Sequence, residues 1–330
     1  MSQPLIDKYG RTIEYVRMAI TDRCNLRCYY CMPECGIDFV KRRELLSYEE
    51  LERLMAIMAG MGVHKVRITG GEPLVRKGSP EFMERLKATE GVESMHLTTN
   101  ATLTYPHIDR LAEMGLSSVN ISLDTLDEAR FLAITKREGL DQVLASIDAF
   151  LEKGIRGKLN MVVMYGVNDM DIASMLELAR NKPIEVRLIE EMPFNGSSHD
   201  LKPHWNFRKL EESIAMNFPE LQKDEMFPGA TAYTFSDDSW KGNVGIIAAF
   251  SRTFCGTCNR LRITPTGQLK TCLYDDGVLD LRELLRDGST DQVIEQHIRA
   301  AVAAKPKDGF AAEASVNRST QRESMATIGG

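Results

Sequence analysis

Six of the seven cysteines fall into two groups whose spacing suits metal or cluster chemistry. Cys24, Cys28 and Cys31 follow a C-x3-C-x2-C pattern, close enough for one loop to wrap three thiolates around one centre. A structural zinc site normally takes four protein ligands, and a [4Fe–4S] cluster that only transfers electrons normally takes four cysteines. Three thiolates on such a cluster leave one iron open to a substrate or cofactor. Cys35 is either a fourth ligand that closes the cluster or a free thiol on a flexible loop, and its place beyond Pro33 favours the free thiol. The second group is Cys255, Cys258 and Cys272, a Cys-x-x-Cys pair followed by a third cysteine after thirteen intervening residues. By spacing alone, zinc and iron–sulfur are equally open here. His297 lies far beyond, so no histidine supplies a fourth zinc ligand, which tips the reading to a second cluster with an open iron. Arg260 and Arg262 follow the pair at strand spacing and share one face. Thr264-Pro265-Thr266-Gly267 reads as a turn that returns Cys272 to the pair.

Composition says where these cysteines work. With 330 residues, 43% hydrophobic and 27% charged, the chain has ordinary globular composition and length for about two domains. A formal net charge of -6 makes a general nucleic-acid binder a poor reading. No apolar run reaches the roughly 18 residues of a membrane span, and the first ten residues lack the apolar core of a signal peptide. These features imply a cytoplasmic protein with no membrane or nucleic-acid partner. In a reducing compartment, clustered cysteines mean metal or redox chemistry more often than disulfides.

The elements that must position these residues alternate between β and α patterns. Strands are predicted at Val16–Ile20, Lys65–Thr69, Ser94–Thr98, Ser118–Leu123, Lys158–Met164 and Ile184–Ile189. Helices are predicted at Ser47–Ala59, Pro80–Ala88, Tyr105–Met114, Glu128–Ile134, Asp141–Glu152 and Asp169–Arg180, the first opened by a Ser47/Glu50 capping box. Six β-α units imply a parallel sheet and an α/β fold, an open, partial TIM-type barrel rather than a closed one. The alternation breaks after Ile189. A loop-like stretch and then a helix beyond Phe207, strands at Val244–Phe250 and Arg260–Thr264, and helices near Leu281 and Val293 suggest a smaller C-terminal module. The expected division is 1–192 barrel, 193–304 module and 305–330 tail. From its small and polar residues, the tail alone reads as disordered, with Gly329-Gly330 unimportant. His199 and His204 read as surface loop residues and no metal is assigned to them. Lys41-Arg42-Arg43 reads as a solvated face.

The stretch Cys24-Asn25-Leu26-Arg27-Cys28-Tyr29-Tyr30-Cys31 resembles the signature of the radical S-adenosylmethionine (SAM) superfamily, and Gly70-Gly71-Glu72-Pro73 resembles its glycine motif. Phe254 to Arg262, Cys272 and the terminal Gly329-Gly330 narrow the resemblance to the GTP 3′,8-cyclase family, which starts molybdopterin synthesis. That resemblance implies two [4Fe–4S] clusters, on Cys24, Cys28 and Cys31 and on Cys255, Cys258 and Cys272. It implies SAM contacts at Tyr30, Gly71, Ser122 and Met192. It implies GTP contacts at Arg17, Arg67, Thr98, Lys158, Arg260, Leu261 and Arg262. Arg17, Arg260, Arg262, Gly329 and Gly330 are implied as catalytic, with the double glycine entering the active site and reversing the disordered reading of the tail.

The implied reaction begins with a 5′-deoxyadenosyl radical taking hydrogen from ribose C3′ of GTP. The C3′ radical then attacks guanine C8, and reduction gives 3′,8-cyclo-7,8-dihydro-GTP. The implied partners are an electron donor and a downstream cyclic pyranopterin monophosphate synthase, and monomer and homodimer both stay open. Relatives often carry Lys-Pro-Lys-Gly-His after the last helix, where Lys305-Pro306-Lys307 here continues as Asp308-Gly309-Phe310, so no role is assigned to a histidine there. The alternatives are a radical SAM enzyme acting on a peptide or another nucleotide, and a non-catalytic zinc or iron–sulfur protein.

Overall fold

The computed structural model describes residues 3–32, 37–192, 203–227, 229–315 and 324–329. Its first half alternates as the sequence implies: β1 (Tyr15–Ala19), α1 (Tyr48–Gly60), β2 (Lys65–Thr69), α2 (Ser79–Lys87), β3 (Ser94–Thr99), α3 (Ile108–Glu113), β4 (Ser118–Ser122), α4 (Glu128–Thr135), α5 (Leu140–Glu152), β5 (Arg156–Val163), α6 (Ile172–Asn181) and β6 (Ile184–Glu190). The capping box forms, with the Ser47 hydroxyl accepting from Glu50 N at 3.1 Å and the Glu50 carboxylate accepting from Ser47 N at 2.6 Å. The predicted Tyr105–Met114 helix starts later because Tyr105–His107, carrying Pro106, forms a tighter 3-10 turn first.

The second half contributes α7 (Phe207–Asn217), β7 (Gln222–Lys223), β8 (Tyr233–Ser236), β9 (Asn243–Ile247), β10 (Arg260–Ile263), β11 (Gln268–Lys270), β12 (Leu279–Asp280), α8 (Leu281–Arg286), α9 (Asp291–Ala303), α10 (Gly309–Ser315) and α11 (Met325–Ile328). These strands join the same sheet, at both of its ends. The order is β12-β11-β10-β1-β2-β3-β4-β5-β6-β9-β8-β7, with β10 parallel to β1 and β9 parallel to β6. An open barrel of six strands would leave β1 and β6 as unpaired edges, and the C-terminal segment covers both. Strand β9 is shorter than the predicted Val244–Phe250 because Ala248 turns out of the ladder, its carbonyl accepting from Arg252 N at 2.7 Å. Among the described residues of the tail, Gly309–Ser315 and Met325–Ile328 are helical, where composition alone reads as disorder. Those helices are fixed by caps and backbone contacts that hydropathy does not register.

The two faces of the strands differ in kind. Val16, Met18, Val66, Ile68, Leu97, Val119, Ile121 and Leu159 are all fully buried on the helix-covered face. The residues between them, such as Arg17, Arg67, Thr98, Asn120 and Lys158, line the inner cavity. Parallel strands buried on both faces read as continuous apolar runs, and a packed barrel interior is filled with branched apolar side chains. This polar alternation keeps the interior open for a ligand. Among the described residues, no helix is long and apolar enough to cross a membrane.

Gly242 allows β9 to reach β6, because an added Cβ there would overlap the backbone of Ile184. Gly242→Ala is expected to destabilise by at least about 2 kcal/mol and to lower Tm by roughly 4 °C or more. Gly60→Ala, where an added methyl meets nothing within 4 Å, should leave Tm nearly unchanged. Thermal unfolding followed by circular dichroism checks the pair.

Candidate active site

The first cysteine loop follows β1 and is held down by the glycine motif. Gly71 N and Glu72 N donate to the carbonyl oxygens of Thr21 and Arg23, each at 2.8 Å. Backbones approach this closely only without side chains: a Cβ on Gly70 would meet Thr21 O at 2.6 Å, and one on Gly71 would overlap the Arg23 carbonyl. Buried Glu72 accepts from Thr99 Oγ1 at 2.8 Å, Asn100 N at 2.7 Å and Leu74 N at 3.1 Å. Burial nonetheless pushes this carboxyl up to about 7. Asn100 Nδ2 donates to Cys24 Sγ at 3.6 Å and Leu26 N to the same sulfur at 3.4 Å, so the motif is linked to the first thiol. Burial raises Cys24 to about 11 and Cys31 to about 12, with Glu72 and Cys24 adding to the respective shifts. Thiols so placed stay protonated until a metal centre takes them as thiolates. Among the described residues, no three Cys, His, Asp or Glu side chains converge on a point that would hold a single metal ion. A multi-iron cluster does not require that convergence, since each thiolate binds a different iron.

The residues expected at SAM line the same cavity, which measures about 830 Å³. Tyr30 donates to Asp124 Oδ2 at 2.8 Å, and Asp124 Oδ1 accepts from Val162 N at 2.9 Å. Ser122 ends β4, Gly71 follows β2, and the Met192 sulfur lies 3.9 Å from the Tyr274 hydroxyl.

A cationic wall lies deeper in the barrel. Arg67 is fixed by three acceptors: Tyr15 Oη at 2.6 Å, Leu97 O at 2.9 Å and Thr98 Oγ1 at 3.4 Å. Burial alone would raise the Tyr15 phenol, but Arg67 and Arg17 bring it down to about 8. Arg17 lies between Arg67 and Arg262 in the strand register. Burial, then the neighbouring Arg260, lowers Arg262 to about 10, so it remains charged at neutral pH. Lys158 and Arg187 share the carboxylate of Glu185, at 2.5 and 2.6 Å. Leu261 differs from the other residues expected at GTP. It is fully buried, and strand alternation turns its side chain away from the cavity that Arg260 and Arg262 line, leaving only its backbone to meet a ligand. Sequence reasoning missed Tyr15, Lys65, His96, Asn120, Arg156 and Arg187, which also line the cavity. Their signal was available as polar residues at every second position of otherwise apolar strands.

All six described cysteines are free and line this one cavity. The loop before β10 carries Cys255 and Cys258, and the turn after β11 carries Cys272. Asp275 shapes that turn by accepting from Cys272 N at 2.7 Å and from Thr271 N at 2.9 Å. Burial alone would raise Cys258, but Arg260 and Lys305 bring it down to about 6. Arg11 ties the region together from below, donating to Cys255 O at 3.1 Å, Pro306 O at 2.7 Å and Lys307 O at 2.8 Å. The tail enters beside both cysteine sets. Ser324 Oγ donates to Cys31 O at 2.6 Å, and Arg262 Nη1 donates to Gly329 O at 2.6 Å. Gly329 has φ +75°, and a Cβ there would meet Thr69 Oγ1 at 2.7 Å and Ala19 Cβ at 2.8 Å, so only glycine fits. Cys35, His199 and Gly330 lie outside the described residues. His204 stacks on Tyr165 with ring centroids 3.8 Å apart.

The Radical SAM superfamily profile matches residues 18–179, and the Molybdenum Cofactor Synthesis C profile matches 184–311. A GTP 3′,8-cyclase of Heliobacterium modesticaldum is 44% identical over 305 residues, covering 92% of this chain and 93% of the relative. The mitochondrial GTP 3′,8-cyclase of Arabidopsis thaliana is 40% identical, covering 100% of this chain and 84% of the relative. The Molybdenum cofactor biosynthesis protein 1 of Homo sapiens is 38% identical, and the chain spans 48% of that longer protein. Among solved structures, Streptococcus suis SuiB superposes with a TM-score of 0.64 at 16% identity, covering 91% of this chain and 68% of SuiB, a likeness of fold. The open α/β sheet with its cysteine loop and glycine motif is that of a radical SAM protein. Within that class, the chain belongs to the GTP 3′,8-cyclase family.

Gly71→Ala is expected to displace the cysteine loop through the Arg23 carbonyl. SAM cleavage should fall by about a hundredfold, and the iron bound by the reconstituted chain should drop. Iron analysis of the reconstituted variant, alongside 5′-deoxyadenosine yield, checks it. Full iron with full cleavage would contradict the buttress.

Proposed function

We propose that this chain is a radical SAM enzyme that cyclises GTP to (8S)-3′,8-cyclo-7,8-dihydroguanosine 5′-triphosphate, the first step of molybdenum cofactor biosynthesis. The observation that carries the reading is one cavity lined by both cysteine sets and by the cations between them, in a chain 38–44% identical to named GTP 3′,8-cyclases and their eukaryotic counterparts. Cys24, Cys28 and Cys31 would hold a [4Fe–4S] cluster, and three partly buried thiols on one loop fit it. Cys255, Cys258 and Cys272 would hold a second cluster, with thiols on two segments that face the same space. When bound, the first cluster and SAM supply one-electron reductive cleavage that starts hydrogen abstraction.

The chain's own residues bind and orient. Gly71, Tyr30, Ser122 and Met192 frame the SAM end of the cavity. Arg17, Arg67, Lys158, Arg260 and Arg262 neutralise a triphosphate, and guanidinium groups suit bidentate phosphate contacts. Their mutual repulsion falls when the anion arrives, which favours a highly charged substrate over a neutral peptide. Thr98 and the backbone of Leu261 add hydrogen-bonding groups beside these cations. Gly329, whose carbonyl accepts from Arg262, closes the tail onto the site and keeps Arg262 aimed inward. Orientation decides the outcome, because the hydrogen must leave C3′ and no other ribose carbon.

The division into 1–192, 193–304 and 305–330 gives the barrel, the second-cluster segment and the closing tail. An electron donor and a cyclic pyranopterin monophosphate synthase that consumes the product are the proposed partners. A cytoplasmic setting is the proposed location.

The test uses anaerobically reconstituted protein with SAM, a reductant and GTP deuterated at C3′. Mass spectrometry should find deuterium in the 5′-deoxyadenosine formed. Unlabelled 5′-deoxyadenosine formed at the same rate without GTP would remove the GTP assignment while keeping the class.

A further inference from the structure

Three cations tie the C-terminal segment to the second cysteine set, and they differ in their partners. Arg11 pairs with Asp7 at 2.6 Å, and Arg252 pairs with Glu313 at 2.7 Å. Lys305 has only neutral acceptors. Its ammonium donates to Arg260 O at 3.1 Å and to Thr271 O, and among the described residues no carboxylate lies within ion-pair distance of it. The residue is 2% exposed. A buried ammonium costs several kcal/mol unless an opposite charge compensates it. The nearest turn offers Asp275, but that carboxylate is occupied by the amides of Thr271 and Cys272 and the Thr271 hydroxyl. The two carbonyls that Lys305 does bridge belong to the residue two beyond Cys258 and the residue just before Cys272. The missing negative charge is therefore next to two of the three thiols.

We propose that Lys305 is the countercharge built into the second cluster site, a positioning residue that joins the two ligand-bearing segments and raises the cluster's reduction potential. This rests on the reading of Cys255, Cys258 and Cys272 as an iron–sulfur site. Three thiolates on a [4Fe–4S] core carry net negative charge, and one-electron reduction makes it more negative. A fixed cation in a low-dielectric setting stabilises the reduced form more than the oxidised form. With the cluster absent, the same cation meets less negative charge, so its contribution to stability grows on loading.

The experiment uses the full chain with Cys24, Cys28 and Cys31 replaced by alanine, so that only the second cluster is observed. Parent, Lys305→Met and Lys305→Arg are reconstituted anaerobically. Bound iron, reduction potential by EPR-monitored titration, and Tm with and without cluster are measured. In Lys305→Met the potential is expected to shift to more negative values and the Tm gained on loading to shrink, so that the loaded form loses more Tm than the unloaded one. Lys305→Arg should restore the potential. An unchanged potential in Lys305→Met overturns the proposal, as does an equal loss of Tm in loaded and unloaded forms, which marks a purely structural staple. If Lys305→Met takes up no iron, recovery of the cluster in Lys305→Arg supports the proposal and failure in both variants overturns it. A parent that binds zinc or no iron at these cysteines removes the iron–sulfur reading itself, a result distinct from any change between variants.

Discussion

The parallel pairing of β10 with β1 is the contact on which the site depends. It sets Arg262 opposite Arg17 and Arg260 opposite Tyr15. It also places the Cys255–Cys258 loop at the entry of a strand whose neighbour leads out to Cys24, Cys28 and Cys31. Side chains alternate between faces with a period of two, so a slip of one residue would send both arginines to the helix side and turn Leu261 into the cavity. Leu261 is fully buried against the core, which opposes that slip. The hydrophobic pattern of a four-residue strand thereby fixes the direction of two charges. At the other end of the sheet, β9 on β6 does the equivalent for the far wall, and Glu190 secures it by accepting from Phe207 N at 2.7 Å and Ser251 N at 2.6 Å.

Electrostatics explains why such an interior persists. Arg67, Arg17 and Arg262 lie side by side in the strand register, an arrangement that rewards a polyanion. Lys158 and Arg187 share one carboxylate, that of Glu185, so this group also keeps a net positive charge. The apolar outer face, with its fully buried valines, isoleucines and leucines, carries the stability that the polar inner face does not. The division of labour is along each strand rather than between domains.

How far this was legible varies by element. The cysteine sets were legible because their chemistry depends on local spacing, whereas the glycine motif was reached through resemblance. The six β-α units were legible because amphipathic helices and β-rich runs are local patterns. The joining of β9 and β10 to opposite edges was not, since nothing within a short strand names a partner far along the chain. The cationic wall was partly legible: Arg67 and Lys158 were found through resemblance, whereas Tyr15, His96 and Arg187 needed the register to show that they share a face. The tail was least legible from composition. Its docking uses the Ser324 hydroxyl, the Gly329 carbonyl and a positive φ, none of which contributes to hydropathy.

The central claim is that one cavity holds two iron–sulfur clusters with the nucleotide between them. Anomalous diffraction from anaerobic crystals of the reconstituted full chain with GTP tests it, using data at the iron and zinc edges. The account predicts two iron peaks, one beside Cys24, Cys28 and Cys31 and one beside Cys255, Cys258 and Cys272, with phosphate density on Arg67 and Lys158. A zinc peak at the second set, or nucleotide density outside the barrel, would contradict it.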